Sequence, residues 1–447
     1  MKRLSQLFKK ENKIKKGIIK SEFIYQNNNI DIVHRACKIC HGTGLEEDEG
    51  SKIKYISRIM GYGHESTLEH SNVITVITVP RDKYDELLEV MAVSRYAFTK
   101  VRHTKNGAAL LIGGSIRAYK NIIRDIDNQD NTVAEEILNN MYYTSPCYFD
   151  DFIKDGIMDR SNFDFEPYSV CKFDPITSDR LDVINVDPIN YIYEKIKKYG
   201  FSWEDALEVC TTTILVKDLS RVISQQLTRH RNAISQASQR YIDYSEVGFN
   251  APYMYKDKYN KDDKYQISLT IDGKDYSGNY TQDELANMWS TVYKQLRDQG
   301  MDKEDARAYM LNNVFTSLYI TMPDKNLIHF LNLRTKPSAQ AEIRKAIAIP
   351  LKEIMDSYIP NMFDFLVPKY KRIQQGIVVY GQNDVNEEID EILSEKEFTE
   401  EITNKSREIG QPKDIVVEEG YQQKTSLKGV IDEDEDGNLK YNKEDYI

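Results

Sequence analysis

An α+β (mixed α/β) fold is what this sequence predicts, and three observations carry the expectation. The run 71–79, SNVITVITV, is dominated by β-branched residues and reads as a largely buried strand. The stretch 218–229 places Leu219, Val222, Ile223 and Leu227 at helical spacing, beside a polar edge that carries Arg221, Gln226 and Arg229. A second helical region runs from 302 to about 370, with Leu327, Ile328, Phe330 and Leu331 in periodic positions and Pro323 near a helix start.

Around these elements the chain divides by composition. Residues 1–30 form a polar, partly helical N-terminal extension. The segment 81–214 alternates helical patches with loops, and its Pro- and Asp-rich part, 164–188, reads as irregular. Within it, 105–120 (KNGAALLIGGSIRAYK) reads as a cap on the sheet, the alternative being an extra wall of an active site. Residues 383–447 are acidic with few aromatics and read as a mobile, partly helical tail.

Composition narrows the function. The 447 residues carry a formal net charge of −11, which argues against a general nucleic-acid binder, because backbone binding needs an excess of cations. Five cysteines spread over this length suit a reducing cytosol better than a disulfide framework. The basic first twenty residues lack the apolar stretch of a signal peptide, and no run of about 18 apolar residues predicts a membrane span. The expectation is a cytoplasmic protein with no membrane contact.

The chemistry concentrates in RVISQQLTRHRNAISQASQRYIDYS. Between Asp218 and Asp243 there is no acidic residue, yet Arg221, Arg229, His230, Arg231 and Arg240 fall there. An uncompensated cluster of this kind on an acidic chain suits an anion, since guanidinium forks fit phosphate and carboxylate. Ser235, Gln236, Ser238 and Gln239 add short neutral donors after the helix. The residues alone leave two readings: a phosphate-ligand site at a helix-to-loop transition, or an ordinary solvated arginine face.

Arg229-His230-Arg231, then Ser238, then Arg240-Tyr241, resembles the signature of flavin-dependent thymidylate synthases. Six residues separate Arg231 from Ser238 where the family has seven, and Ser235-Gln236 stands at the family's Asn-Glu pair. Gly63-His64-Glu65-Ser66-Thr67-Leu68-Glu69-His70 is similar to that family's flavin-contacting element. Arg35-Ala36-Cys37 resembles the short element before it. Asn326–Arg334 resembles the family's FxNLR helix, followed by Ala339-Gln340-Ala341-Glu342-Ile343-Arg344, with Ala341 in place of the usual Trp. The resemblance covers a catalytic core of 31–80 and 215–375, and leaves 81–214 as an insert that is largely helical.

The resemblance implies a central sheet flanked by helices, and a homotetramer with shared active sites. It implies methylation of dUMP to dTMP with 5,10-methylenetetrahydrofolate, FAD and NADPH. Arg334 is then the residue that activates the uracil. Gln226, Arg229, Gln236, Ser238, Gln239, Arg240, Arg307 and Arg334 hold dUMP, and Ser66, Glu69, Arg229, His230, Arg231, Asn232 and His329 hold FAD. No metal site is expected. Two other readings are a related enzyme that methylates or hydroxymethylates another pyrimidine nucleotide on this scaffold, and a non-catalytic flavin- or nucleotide-binding protein. Three further signals are set aside. Cys37-Lys38-Ile39-Cys40-His41 matches a haem-attachment pattern but reads as core cysteines. Cys147 after Pro146 lacks the context of a nucleophile. The Asp432–Gly437 run has Lys443 where a calcium loop needs Glu.

Overall fold

Antiparallel pairing of β-branched runs gives the chain two four-stranded sheets. The computed structural model describes residues 19–42, 44–45, 48–126, 130–149, 173–359, 431–433 and 439–441. The first sheet comprises β1 (Lys20–Gln26), β2 (Val73–Pro80), β3 (Phe98–Thr104) and β4 (Gly107–Gly114), in the order β1-β2-β4-β3. Its central strands, β2 and β4, are apolar along most of their length, as strands covered on both faces must be. Gly107 opens β4 because a side chain there would meet the Val79 carbonyl oxygen at 2.0 Å.

The second sheet comprises β5 (Leu181–Val186), β6 (Thr211–Ser220), β7 (Ala233–Gln236) and β10 (Phe315–Pro323), in the order β5-β6-β10-β7. A separate hairpin joins β8 (Tyr265–Ile271) to β9 (Lys274–Tyr280). Its Asp272-Gly273 turn has both residues at positive φ, the geometry that a two-residue hairpin loop favours.

Helices cover both sheets: α1 (Asn29–His41), α2 (Glu49–Gly61), α3 (Tyr84–Val93), α4 (Ile116–Asp125), α5 (Thr132–Thr144), α6 (Ile189–Ile196), α7 (Trp203–Val209), α8 (Arg221–Leu227), α9 (Gln282–Asp298), α10 (Asp324–Arg334) and α11 (Ile349–Tyr358). Strand alternation splits the first sheet's side chains. Ile74, Val76 and Leu111 join Val183, Ile214 and Ile320 of the second sheet, and Leu327 of α10, in one core. Val73, Ile77, Leu110 and Ile112 turn the other way, onto Ile59, Val90, Ile122 and Ile137 of α2 to α5. The architecture is α+β, with sheets flanked by helices. No helix among the described residues is long and apolar enough to cross a membrane.

The strand expected at 71–79 is β2. Other elements differ from the sequence reading. The helix expected from 218 starts at Arg221, since Thr211–Ser220 is a β-branched run that pairs along β10 as far as Ser220. The described part of the region 302–370 opens with a short helical turn at Lys303–Ala306, then holds strand β10, and Pro323 ends that strand immediately before α10. Lys20–Gln26, read as part of a polar lead-in, is the edge strand β1. Leu181–Val186, inside the run expected to be irregular, is a strand buried at every position. The segment 105–120 is a hairpin turn, the internal strand β4 and the start of α4, not a cap. With β3, β4 and β5, the segment 81–214 supplies strands to both sheets as well as helices. The tail expected at 383–447 lies outside the described residues, save two short strands of a separate unit. These are β11 (Ile431–Glu433) and β12 (Leu439–Tyr441), paired antiparallel with Ile431 opposite Tyr441.

Candidate active site

Three segments that are far apart in sequence meet at one junction. Cys37 of α1 donates from Sγ to Thr67 Oγ1 at 3.3 Å, which ties the Arg35–Cys37 element to the 63–70 element. His70 is fully buried; its Nδ1 lies 3.0 Å from Thr321 Oγ1 of β10 and its Nε2 3.0 Å from Ser235 Oγ of β7. Burial lowers its pKa to about 3, so the ring is neutral and serves as a pin between the sheets. The Ser238 amide donates to the Cys40 carbonyl at 3.3 Å, bringing the end of α1 against the arginine-rich segment. Glu65 is held by Arg124, through two bonds of 2.8 Å, and by Lys120 of α4 at 3.2 Å. These contacts hold its pKa down at about 2.

Beside this junction, where the end of β4 approaches the starts of β6 and β7, lies a cleft of about 490 Å³. Glu69, Gly113, Arg117, Arg231, Asn232 and Asn326 contribute to its walls. Glu69 is paired with Arg117. Asn326 Nδ2 donates to Asn232 Oδ1 at 3.1 Å. Arg231 takes the left-handed conformation at φ 52°, which is costly for a residue with a side chain and marks a position fixed by its surroundings. Its exposed guanidinium has no hydrogen bond or ion pair among the described residues. Of the residues expected to hold flavin, Glu69, Arg231 and Asn232 line this cleft, whereas Ser66, Arg229, His230 and His329 do not.

A second group forms at the end of α10. Arg334 Nε donates to His230 Nε2 at 3.2 Å, and Arg334 Nη1 to Gln226 Oε1 at 3.4 Å. Gln226 in turn donates to Gln340 Oε1 at 2.5 Å. Burial, then Arg334 and His329, lower the His230 pKa to about 4, so at neutral pH this ring accepts from Arg334 without charge. The rings of His230 and His329 lie 6.4 Å apart, and that of His230 packs edge-on to Phe330 at 5.1 Å. Burial and then Arg229 lower the Arg334 pKa from its ordinary value. Gln226, Arg229, His230 and Arg334 are thus brought together, and no carboxylate pairs with Arg334 among the described residues.

Arg240 and Arg307 form a third group. Both meet Glu304: Arg240 Nε pairs with its carboxylate at 2.9 Å, and Arg307 Nε donates to its backbone carbonyl at 2.9 Å. No hydrogen bond among the described residues links this pair to Arg334. Gln236 and Ser238, expected in a loop, flank the end of the short strand β7, where Gln236 Nε2 donates to Thr316 Oγ1 at 3.1 Å. The Gln239 amide nitrogen is buried with no hydrogen-bond partner among the described residues.

Sequence reasoning missed Glu304, whose position three residues before Arg307 was the available signal. Arg117, in the segment whose alternative reading was a wall of an active site, lines the cleft; Asn326 there was missed, and so was the role of Glu342. That buried carboxylate accepts from the Ser220 amide and hydroxyl at 2.7 Å each, and so fixes the start of α8.

The family described as "Thymidylate synthase complementing protein" matches residues 182–361. The flavin-dependent thymidylate synthase of Pyrococcus abyssi is 30% identical over 190 residues, covering 41% of this chain and 70% of that protein. The enzyme of the same name from Geobacter sulfurreducens is 29% identical over 181 residues, covering 40% and 70%. Among solved structures, thymidylate synthase X from Helicobacter pylori with FAD and dUMP overlaps at 16% identity with a TM-score of 0.28, covering 41% of this chain and 98% of that one.

Proposed function

Since this chain belongs to the flavin-dependent thymidylate synthase family, we propose that it methylates dUMP to dTMP in the cytoplasm, using 5,10-methylenetetrahydrofolate, FAD and NADPH. The observation that carries the reading is the state of Arg334: a guanidinium fixed by two neutral acceptors, with its charge left unspent. When bound, the reduced flavin supplies hydride and the folate supplies the one-carbon unit.

The residues present fit a flavin nucleotide. The cleft has the volume of an ordinary ligand site, a free guanidinium in Arg231 suited to a phosphate, and side-chain amides at Asn232 and Asn326. Ser66, Arg229, His230 and His329 lie outside this cleft and would reach the flavin only where copies share a site. Arg334 is protonated at neutral pH and cannot serve as a base. It stabilises the negative charge that builds on the uracil edge as C5 becomes nucleophilic, and its preset position avoids a reorganisation cost. Neutral His230 matters here, because a protonated ring would repel Arg334.

Arg240 and Arg307 suit the nucleotide phosphate, with Glu304 releasing Arg240 as the phosphate arrives. Gln226, Arg229, Gln236, Ser238 and Gln239 supply neutral and charged donors around the base and sugar. The Arg334 group and the Arg240–Arg307 group serve one nucleotide if each site is shared between copies in a homotetramer. The test is release of tritium from 5-tritiated dUMP by the purified protein with flavin, reductant and folate donor. Release that requires the donor supports the reading, and no release sinks it. Gln236, a neutral amide where the family carries Glu, favours a second reading in which another pyrimidine nucleotide is the substrate. Product masses from dUMP and dCMP decide between the two.

A further inference from the structure

A basic cleft of about 530 Å³ lies between the segments 255–258 and 337–345, away from every group assigned above except through Gln340. Lys256 and Lys258 stand on one wall, and Arg344 and Lys345 on the other. Asp257 is the one carboxylate among its lining residues; it is fully exposed and sits a loose 3.7 Å from Lys345. Four cations against one carboxylate is the reverse of the balance of the whole chain, which carries −11. Arg344 is fixed by donating to the Pro337 carbonyl at 2.7 Å, so one cation at least is held in place.

The cleft adjoins the reaction site through a side chain. Gln340, on its wall, accepts from Gln226, and Gln226 accepts from Arg334. Gln340 thus stands between the Arg334 group and the basic cleft. The cations come in pairs from two chain segments, Lys256 and Lys258 from one and Arg344 and Lys345 from the other. That layout suits a chain of separated carboxylates better than a single compact phosphate, which calls for converging donors.

We infer that this cleft binds the oligo-γ-glutamyl tail of the folate co-substrate. The inference rests on the proposed function, since it names a subsite for that reaction's one-carbon donor. Attraction of this kind, between exposed charges, is individually small and sensitive to salt. Several such pairs lower KM for the tailed donor without changing the chemical step.

The experiment measures dTMP formation by the full-length protein with a donor bearing one or five glutamates. The expected result is a KM lower by about threefold to tenfold for the five-glutamate donor, with kcat unchanged. The difference shrinks at high salt, and disappears in the triple variant K256Q/K258Q/K345Q while the one-glutamate kinetics stay the same. Equal KM values for both donors in the unaltered protein overturn the inference, as does a difference that survives in the triple variant. Binding of a penta-γ-glutamate peptide is measured alongside, with inorganic phosphate as competitor. Displacement by an equal concentration of phosphate makes the cleft a general anion site and also overturns the inference. If no dTMP forms from either donor, the proposed function fails, and the peptide measurement alone decides the cleft.

Discussion

At the scale of single residues, the site depends on which groups are charged and which are not. Arg334 keeps its charge because His230 and Gln226 offer lone pairs and no negative charge. The sequence marked Arg334 through its motif, but its acceptor His230 is 104 positions away, and no local pattern announces so distant a neighbour. Arg240 and Arg307 were legible as cations, whereas Glu304 was marked only by its place three residues before Arg307, and its pairing with Arg240, 64 positions away, has no local signal. Asp324 is the residue with the clearest consequence for pH. It is fully buried at the start of α10, where Thr212 donates to one oxygen at 2.7 Å and the other has no partner among the described residues. Burial, opposed by the Thr212 bond and reinforced by Asp187, pushes its pKa up to about 8. The folded chain therefore keeps a proton that the unfolded chain releases near the ordinary value of 3.8. Its stabilising effect is complete below that value and is lost as pH rises towards 8. Asp324→Asn carries no titrating group and is expected to exceed the unaltered protein in stability by on the order of a few kcal/mol at pH 8, with the gap closing towards pH 4. Denaturant titrations at both pH values check this, and an equal gap at both would contradict the assignment.

At the scale of elements, strands with strong β-branched content were legible and strands inside mixed patterns were not. β2 was evident because Val, Ile and Thr occupy most of it. β10, FTSLYITMP, runs straight into the helix α10, and a short apolar run beside a helical one does not declare its own period. β1 and β5 are short strands whose partners lie far along the chain, so their pairing is a property of the fold and not of their own residues. The start of α8 shows how an element boundary is set. Ser220 accepts from the Ile223 amide as the helix cap, and its own amide and hydroxyl are taken by buried Glu342. Removing that hydroxyl deprives both the cap and a buried carboxylate oxygen. Ser220→Ala is expected to cost about 1–3 kcal/mol in chemical denaturation and to weaken dTMP formation through α8, which carries Gln226. A loss below a few tenths of a kcal/mol would mean the cap is not set this way.

At the scale of the whole molecule, the two sheets share one core, and the motif segments meet where the sheets adjoin. The order of the motifs along the chain was readable, and so was their convergence in general terms. The contribution of 81–214 to both sheets was not, because β4 pairs back onto β2 and β5 forward onto β6 across tens of intervening residues, and pairing at that range leaves no local mark. That no hydrogen bond among the described residues links Arg334 to the Arg240–Arg307 pair bears on assembly. If sites are shared between copies, co-expressing Arg334→Ala with Arg307→Ala chains restores part of the activity that each variant lacks alone. Mixed assemblies as inactive as either parent would show that each chain builds its own site.

The central claim is that Arg334 acts on the uracil and not on the flavin. Arg334→Ala, with flavin reduction and dTMP formation followed separately, tests it most directly. Flavin reduction by NADPH is expected within a fewfold of the unaltered protein and dTMP formation reduced by about a hundredfold or more, the scale set by loss of one preorganised charge. dTMP formation that persists near its original rate would contradict it.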